Sequence, residues 1–462
     1  MSKYVRQQKS LPKHPKTPSS ADSPFAPTPI PVAPRQRPGW SGPGYTKKGG
    51  KHIPRPPPAP KPVVIPPGDE HQALGQPDQQ LLLDAVRKAF PRCEDYEALK
   101  VVLAGVEEKV REGDWNAAFG SAEAREAWVV KWGAERAVWF ANLLVRVVET
   151  LDDDPLFAML RGRTEDEEED DEEEEKEEEK KEEKKEEREE EKKEEKEEEK
   201  KEENDDDEDE EEKKEENDDD EDEEEVLRVV SFGGGPAEVL ALGAVIRHLR
   251  PDAYGKSKAD LESSDSDSNA GQIIDLNLTN TVNWTPEIST SHEALLSPPT
   301  LSKYASASAI ANSSPFLAKS ALELEMKKFS ALEASQEEVE DLVGEEAALI
   351  TLFYTVADLA ATSVAKTVAL LLKLTIAAPK GSLVVVFDHA EEEGKKGYPL
   401  RYLLDMAFLG KKPLGEDEEE GVRPAWKMLL ADEERVVKAC DGVRYALALE
   451  TAKAQVYVFR RL

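Results

Sequence analysis

The segment Val226-Leu-Arg-Val-Val-Ser-Phe-Gly-Gly-Gly-Pro-Ala-Glu238 constrains this chain more than any other part of it. A β-branched run breaks into three glycines and then a proline, which reads as a buried strand, a tight loop and a helix start. Glycine lets the backbone turn sharply and approach a ligand closely, and Pro236 at the first helical position leaves neighbouring amides pointing outward. Strand, loop and helix in that order open a βαβ unit of a parallel sheet. The loop has the geometry of a nucleotide-type cofactor site.

The rest of the C-terminal half continues the alternation. Residues 236–248 read as the helix, and Gln272-Ile-Ile-Asp275 as a second strand after a Ser/Asp-rich loop at 255–271. Residues 348–354 and 382–388 read as further buried strands, with an amphipathic helix over 363–375 between them and a turn at Pro379 and Gly381. Residues 445–450 and 454–459 read as the terminal strand or hairpin. Five to seven strands are available, enough for a doubly wound α/β domain with its crevice at the strands' C-terminal ends. Asp275 is placed at the end of the second strand, where an acid meets a cofactor's ribose hydroxyls; the competing reading is a turn Asp beside Asn277.

Upstream, the composition changes twice. Residues 1–73 are rich in Pro, Ser, Lys and Arg, and residues 1–66 carry 12 basic side chains against one Asp. Such a tail buries too little apolar surface to order itself, and its charge suits RNA phosphates or a localisation signal as well as a solvated linker. Residues 74–163 show helical spacing, including a helix over 122–148 with Trp128, Trp132 and Trp139, which are most simply core. Residues 164–225 form an acidic low-complexity linker in which 46 acidic and 13 basic side chains fall within 165–225, and residues 200–212 recur unchanged as 213–225. That tract holds most of the net charge of −37, leaving 226–462 and the helical region only mildly acidic. A solvated spacer is its simplest reading, with calcium or basic proteins as conceivable ligands.

Cys93 and Cys440 are far apart and the six histidines have no metal-ligand spacing, so no structural metal and a reducing compartment are expected. No apolar signal segment begins the chain, and the most apolar window, 347–378, is broken by Asp358, Lys366 and Lys373, so no membrane span is expected.

The glycine loop also discriminates between cofactors. Dinucleotide sites want G-x-G-x-x-G, whose third glycine allows close helix packing around a pyrophosphate. Glu238 stands in that third position. A loop without it suits S-adenosylmethionine better, since that ligand has no phosphate. A nicotinamide-dependent oxidoreductase is the weaker alternative.

Together Ser231-Phe-Gly-Gly-Gly-Pro-Ala-Glu238, Leu349-Ile-Thr-Leu-Phe-Tyr-Thr-Val-Ala-Asp-Leu359, the 363–375 helix, Tyr398-Pro-Leu-Arg-Tyr-Leu-Leu404 and Leu449-Glu450 to Gln455 resemble the fungal 25S ribosomal RNA uridine-N3 methyltransferase family in order and spacing. The resemblance covers 226–462 and, more loosely, Trp132-Gly-Ala-Glu-Arg-Ala-Val-Trp139. It implies a class I methyltransferase sheet, S-adenosylmethionine as cofactor, large-subunit ribosomal RNA or a pre-ribosomal particle as partner and a nucleolar or nuclear place of work, with the cytoplasm as the alternative; separately, a monomer is expected. Carried over, Gly233 and Gly235 line the methionine end, Asp275 lies at the ribose and Glu333 near the adenine, and Ser231, Gly234 and Thr355 are expected to bind the cofactor with them. The sequence departs from the family after Asp388, where His389-Ala-Glu-Glu-Glu replaces a Ser-Pro-Gly-Ser-Tyr pattern, and at Glu434-Arg-Val-Val, where an aromatic-Arg pair is expected.

Methylating N3 of uracil requires loss of the imide proton and in-line attack on the sulfonium methyl. Asp358, after the fourth strand, is the first candidate for the base, followed by Asp388 and His389 after the fifth. Their plainer roles are a helix cap and an exposed loop residue. The rival reading from another class is a non-catalytic ribosome assembly factor whose acidic tract binds basic ribosomal proteins.

Overall fold

The computed structural model describes residues 73–162, 226–255, 271–301, 304–306, 313–390, 398–410 and 424–462. The tail, the acidic linker and most of the 255–271 loop, read above as unstructured, lie outside these residues.

Seven strands form one sheet: β1 Leu227–Phe232, β2 Ile274–Asn280, β3 Leu322–Lys328, β4 Leu349–Phe353, β5 Leu383–His389, β6 Trp426–Val437 and β7 Ala452–Arg461. Their order is β3-β2-β1-β4-β5-β7-β6, with β1 to β5 parallel and β7 inserted antiparallel between β5 and β6. Strand order reverses between β1 and β4, so a crevice opens above their C-terminal ends. This is the α/β doubly wound class expected from the sequence.

Helices cover both faces, which is why the central strands read as unbroken apolar runs. Along β5, Leu383, Val385 and Phe387 belong to one core and Val384 and Val386 to the other. The first face carries the N-terminal helices α1 Gln76–Ala89, α2 Tyr96–Glu112, α3 Trp115–Ala118, α4 Ala122–Trp128, α5 Ala134–Thr150 and α6 Pro155–Arg161, with α7 Pro236–Leu249 and α8 Thr285–Leu295. The second carries α9 Gln336–Val343, α10 Val356–Ala377 and α11 Leu400–Phe408. Helical region and sheet share one core: the Phe140 ring of α5 lies 4.7 Å from that of Phe353 in β4.

Several expectations are corrected. The strand placed at 272–275 begins at Ile274 and runs to Asn280, because Ile274, Leu276 and Leu278 continue the buried alternation past the polar residues. Asp275 therefore opens β2, level with Arg228 at the start of β1 and at the end of the sheet away from the glycine loop; it accepts a 3.3 Å bond from Asn277. It is not placed to meet a ribose at the C-terminal ends. The helix expected over 122–148 is interrupted by a π turn over Val129–Gly133. The helix expected from Ser363 begins at Val356; Ser363 is extended inside it (φ −160°, ψ 101°), and its hydroxyl accepts from Lys366 N, so it restarts the helix it was read as starting. By length and hydropathy α10 alone among the described helices meets the measure of a bilayer span. Here Thr367, Leu370, Leu371 and Leu374 are buried against the sheet.

The partner of β7 is not 445–450 but β6. Residues 438–451, which connect them, run as a strap over the N-terminal helices. Cys440 N donates to Gln79 Oε1 (2.8 Å), Gln80 pairs with both backbone groups of Arg444 (2.7 and 3.0 Å), and Glu450 N donates to Glu135 Oε2 (3.2 Å). The hydroxyl of the half-buried Tyr445 donates to Val130 O in the π turn at 2.6 Å.

Candidate active site

The glycine loop leaves β1 and is fixed from below. Gly233 has a left-handed φ of 77°, and a Cβ there would stand 2.6 Å from Thr355 Oγ1. A Cβ on Gly234 would meet Ser231 Oγ at 2.5 Å and Leu278 Cδ2 at 2.7 Å, whereas one on Gly235 would find no atom closer than 3.8 Å. Only the first two glycines are demanded by packing. Asn280, at the true end of β2, donates to Gly233 O and Gly234 O (2.9 and 3.1 Å), and the Thr355 hydroxyl donates to Phe232 O (2.7 Å).

Pro236 starts α7, and Glu238 reaches back one turn so that its Oε2 accepts from Gly235 N at 2.8 Å. Burial pushes the Glu238 carboxyl up to about 7. A buried acid occupying the amide at this helix start opposes a pyrophosphate, which would need that donor and no neighbouring carboxylate. The discrimination read from the third glycine position thus has a structural cause.

Above the loop lies a cleft of about 310 Å³. Gly233, Gly235 and Thr355 form its floor, Phe329 to Leu332 one side, and the helical region its roof through Trp115, Phe119, Trp128, Val129, Gly133 and Arg136. The aromatic rings form a ladder: Trp115 to Phe119 at 6.1 Å, Phe119 to Trp128 at 5.1 Å and to Trp284 at 5.2 Å, Trp128 to Trp132 at 4.3 Å. Of the tryptophans read as core, Trp139 is buried in it and Trp132 packs against it, while Trp128, also packed against it, lines the cleft at one edge. The π turn supplies Val129 and Gly133 to it.

Tyr354 closes β4. It is the one non-glycine residue with positive φ (53°) among those described, which stores about 1–3 kcal/mol of backbone strain. Its amide donates to Phe387 O at 2.6 Å, and its ring lies 4.2 Å from that of His389 and 4.9 Å under the Arg136 guanidinium. Burial pushes its hydroxyl up to about 12.

The two aspartates separate. Asp358 lies in the exposed first turn of α10 and lines the cleft. Asp388 is 1% exposed, accepts from Ala357 N and His389 N (both 2.8 Å), and is raised to about 7, above all by burial. Because Thr355, the residue before α10, spends its hydroxyl on Phe232 O, Asp388 caps that helix instead. It sits beneath the site, and His389 is exposed beyond it without lining the cleft. Ser231 lies below the loop, its buried Oγ without a hydrogen-bond partner among the described residues. Glu333 follows the lining residues but is exposed and ion-paired with Lys366, outside the cleft wall. No cluster of His, Cys, Asp and Glu able to hold a metal occurs among the described residues.

A family model described as "Putative SAM-dependent methyltransferase" matches residues 86–460, helical region and sheet together. The chain belongs to this methyltransferase family. Its cofactor is S-adenosylmethionine.

Solved structures similar to the methyltransferase include a SAM-dependent methyltransferase from Methanosarcina mazei, at 12% identity over 51% of this chain and 93% of that one, TM-score 0.25. Others are an O-methyltransferase family 2 protein from Planctomyces limnophilus in complex with apigenin (10% identity, 51% of each chain, TM-score 0.25) and an O-methyltransferase from neocarzinostatin biosynthesis in complex with S-adenosyl-L-homocysteine and 1,4-dihydroxy-2-naphthoic acid (12%, 51% and 50%, TM-score 0.24). The chain spans nearly all of the first and about half the length of the other two. No curated protein matches its sequence.

Sequence reasoning missed Arg136, Tyr354, Asn280 and Trp284. Asn280 was within reach, since the alternation from Ile274 leads to it.

Proposed function

We propose that this methyltransferase acts on large-subunit ribosomal RNA, at N3 of a uridine, as a monomer in the nucleolus or nucleus. The observation that carries the reading is that Asp358 and the glycine loop, which belong to two of the segments resembling the uridine-N3 family, lie on walls of one cleft under an aromatic roof. Gly233, Gly235 and Thr355 carry the cofactor's methionine end, and Phe329 to Leu332 offer its adenine an apolar side. Ser231 and Gly234 support them from below.

The cofactor supplies an electrophilic methyl on a sulfonium. Asp358 would take the N3 proton, leaving the nitrogen pair free to attack the methyl carbon that the bound cofactor would supply, the carbon–sulfur pair departing with sulfur. Proton removal by a placed base contributes about 100- to 10,000-fold. Holding base and methyl in line supplies most of the rest. A paired uridine must first leave its helix, and the roof tryptophans offer it a surface to stack on, worth about 1–3 kcal/mol per base. The basic tail supplies phosphate attraction that the mildly acidic domain does not.

The test is to map 3-methyluridine by mass spectrometry in ribosomal RNA from cells lacking the protein. One modified position should disappear and return with the wild-type gene but not with Asp358→Ala. Unchanged modification at every position removes the reading. The replaced pattern after Asp388 favours a second reading, a methyltransferase-like assembly factor whose acidic tract binds basic ribosomal proteins; ribosomal RNA methylated in vitro by the purified protein would exclude it.

A further inference from the structure

Arg136 is the residue whose partners do not account for it. It projects from α5 into the cleft roof, and its guanidinium lies 5.4 Å from the ring centre of Trp128 and 4.9 Å from that of Tyr354. Among the described residues no carboxylate or carbonyl oxygen accepts from it, although the chain has 99 acidic residues and its neighbour Glu135 is engaged by Lys131. A guanidinium carries five donors in a planar fork that matches a carboxylate, and this one opens onto the cleft.

Its surroundings show which anion it awaits. Its ring contacts put it beside Trp128 and Tyr354, the residue that follows β4, and it lines the same cleft as Gly233, Gly235 and Glu238; its charge is felt by Glu238, Tyr354 and Asp388. Both nearby carboxylates are committed to backbone amides, Glu238 to Gly235 and Asp388 to Ala357 and His389. S-adenosylmethionine has one anionic group, the α-carboxylate, at the far end of the molecule from the adenine. Its sulfonium and ammonium are cations that an arginine would repel.

We propose that Arg136 grips the α-carboxylate of S-adenosylmethionine as a bidentate pair, with the rings of Trp128 and Tyr354 holding the guanidinium plane in place. The cofactor then bridges the sheet, which carries the glycine loop, to the helical roof. This inference rests on the cofactor and not on the identity of the methyl acceptor.

The test compares, by calorimetry without RNA, binding of S-adenosylmethionine and of its decarboxylated analogue, which differ only in the carboxylate. Wild-type protein should prefer the parent by about 10- to 100-fold, the range for charge-assisted hydrogen bonds. Arg136→Gln should abolish that preference while leaving affinity for the decarboxylated compound within about threefold. Arg136→Lys should retain part of the preference, because it keeps the charge and loses the fork. A preference that survives Arg136→Gln, or an equal loss of both ligands, overturns the assignment.

Discussion

The floor and the roof of the cleft are built by opposite means. In the floor almost every polar group is already engaged within the protein: Asn280 and Thr355 hold the loop carbonyls, Glu238 the Gly235 amide, and Asp388 the start of α10. In the roof the aromatic ladder is packed but Arg136 is held only by ring faces, and Trp115 is 42% exposed. A floor assembled from five parallel strands can fix a ligand's position before it arrives. A roof of separate helices, with a π turn between two of them, keeps the groups that respond to the ligand.

The contrast breaks most sharply at the glycines. Gly234→Ala should cost about 1–3 kcal/mol and remove cofactor binding, because its Cβ would overlap Ser231 and Leu278, whereas Gly235→Ala should leave the melting temperature nearly unchanged. Melting curves and S-adenosylhomocysteine titrations on the two variants check this; similar losses in both would mean that packing beneath the loop is not what requires glycine. Next, Asp358→Ala should lower the methylation rate about 100- to 10,000-fold with the melting curve unchanged, since the carboxylate is exposed on the cleft wall. A parent-like rate in single-turnover assays would remove Asp358 from the chemistry.

The floor should also show in the pH dependence of stability. Burial raises Glu238 and Asp388 to about 7 from ordinary values of 4.5 and 3.8, so the folded protein keeps protons that the unfolded chain gives up. Their contribution is full below about pH 4, falls as pH rises towards 7 and is lost above it. Glu238→Gln should flatten that part of the denaturation profile, and an unaltered slope would place the titration elsewhere. The smallest effect belongs to the exposed pair outside the cleft. Glu333→Gln should change stability by less than about 0.5 kcal/mol and leave cofactor affinity unaltered; a large loss of affinity would return it to the adenine site.

What could be read from the sequence follows how local the signal is. β1, β4 and β5 are buried on both faces, so their apolar runs announce them, and the three glycines with Pro236 announce the turn. Asp275 was misplaced because Asn277 resembles a turn residue, while the strand is decided by the buried alternation beyond it. β6 passed unnoticed because its charged residues 432–435 belong to a bulged edge strand that is only partly buried. Ser363 was a true helix-start signal, but inside a longer helix. Arg136 and Tyr354 carry no local mark at all: one is an ordinary helical arginine and the other ends an ordinary strand, and their meeting is a property of the tertiary fold.

The strap at 438–451 sets a timetable. Roof helices are made first, but Gln79, Gln80, Val130 and Glu135 find their partners only when Cys440, Arg444, Tyr445 and Glu450 have been added, just before β7 slots between β5 and β6. On a growing chain the roof helices are therefore tied down by residues made 315 to 364 positions after them.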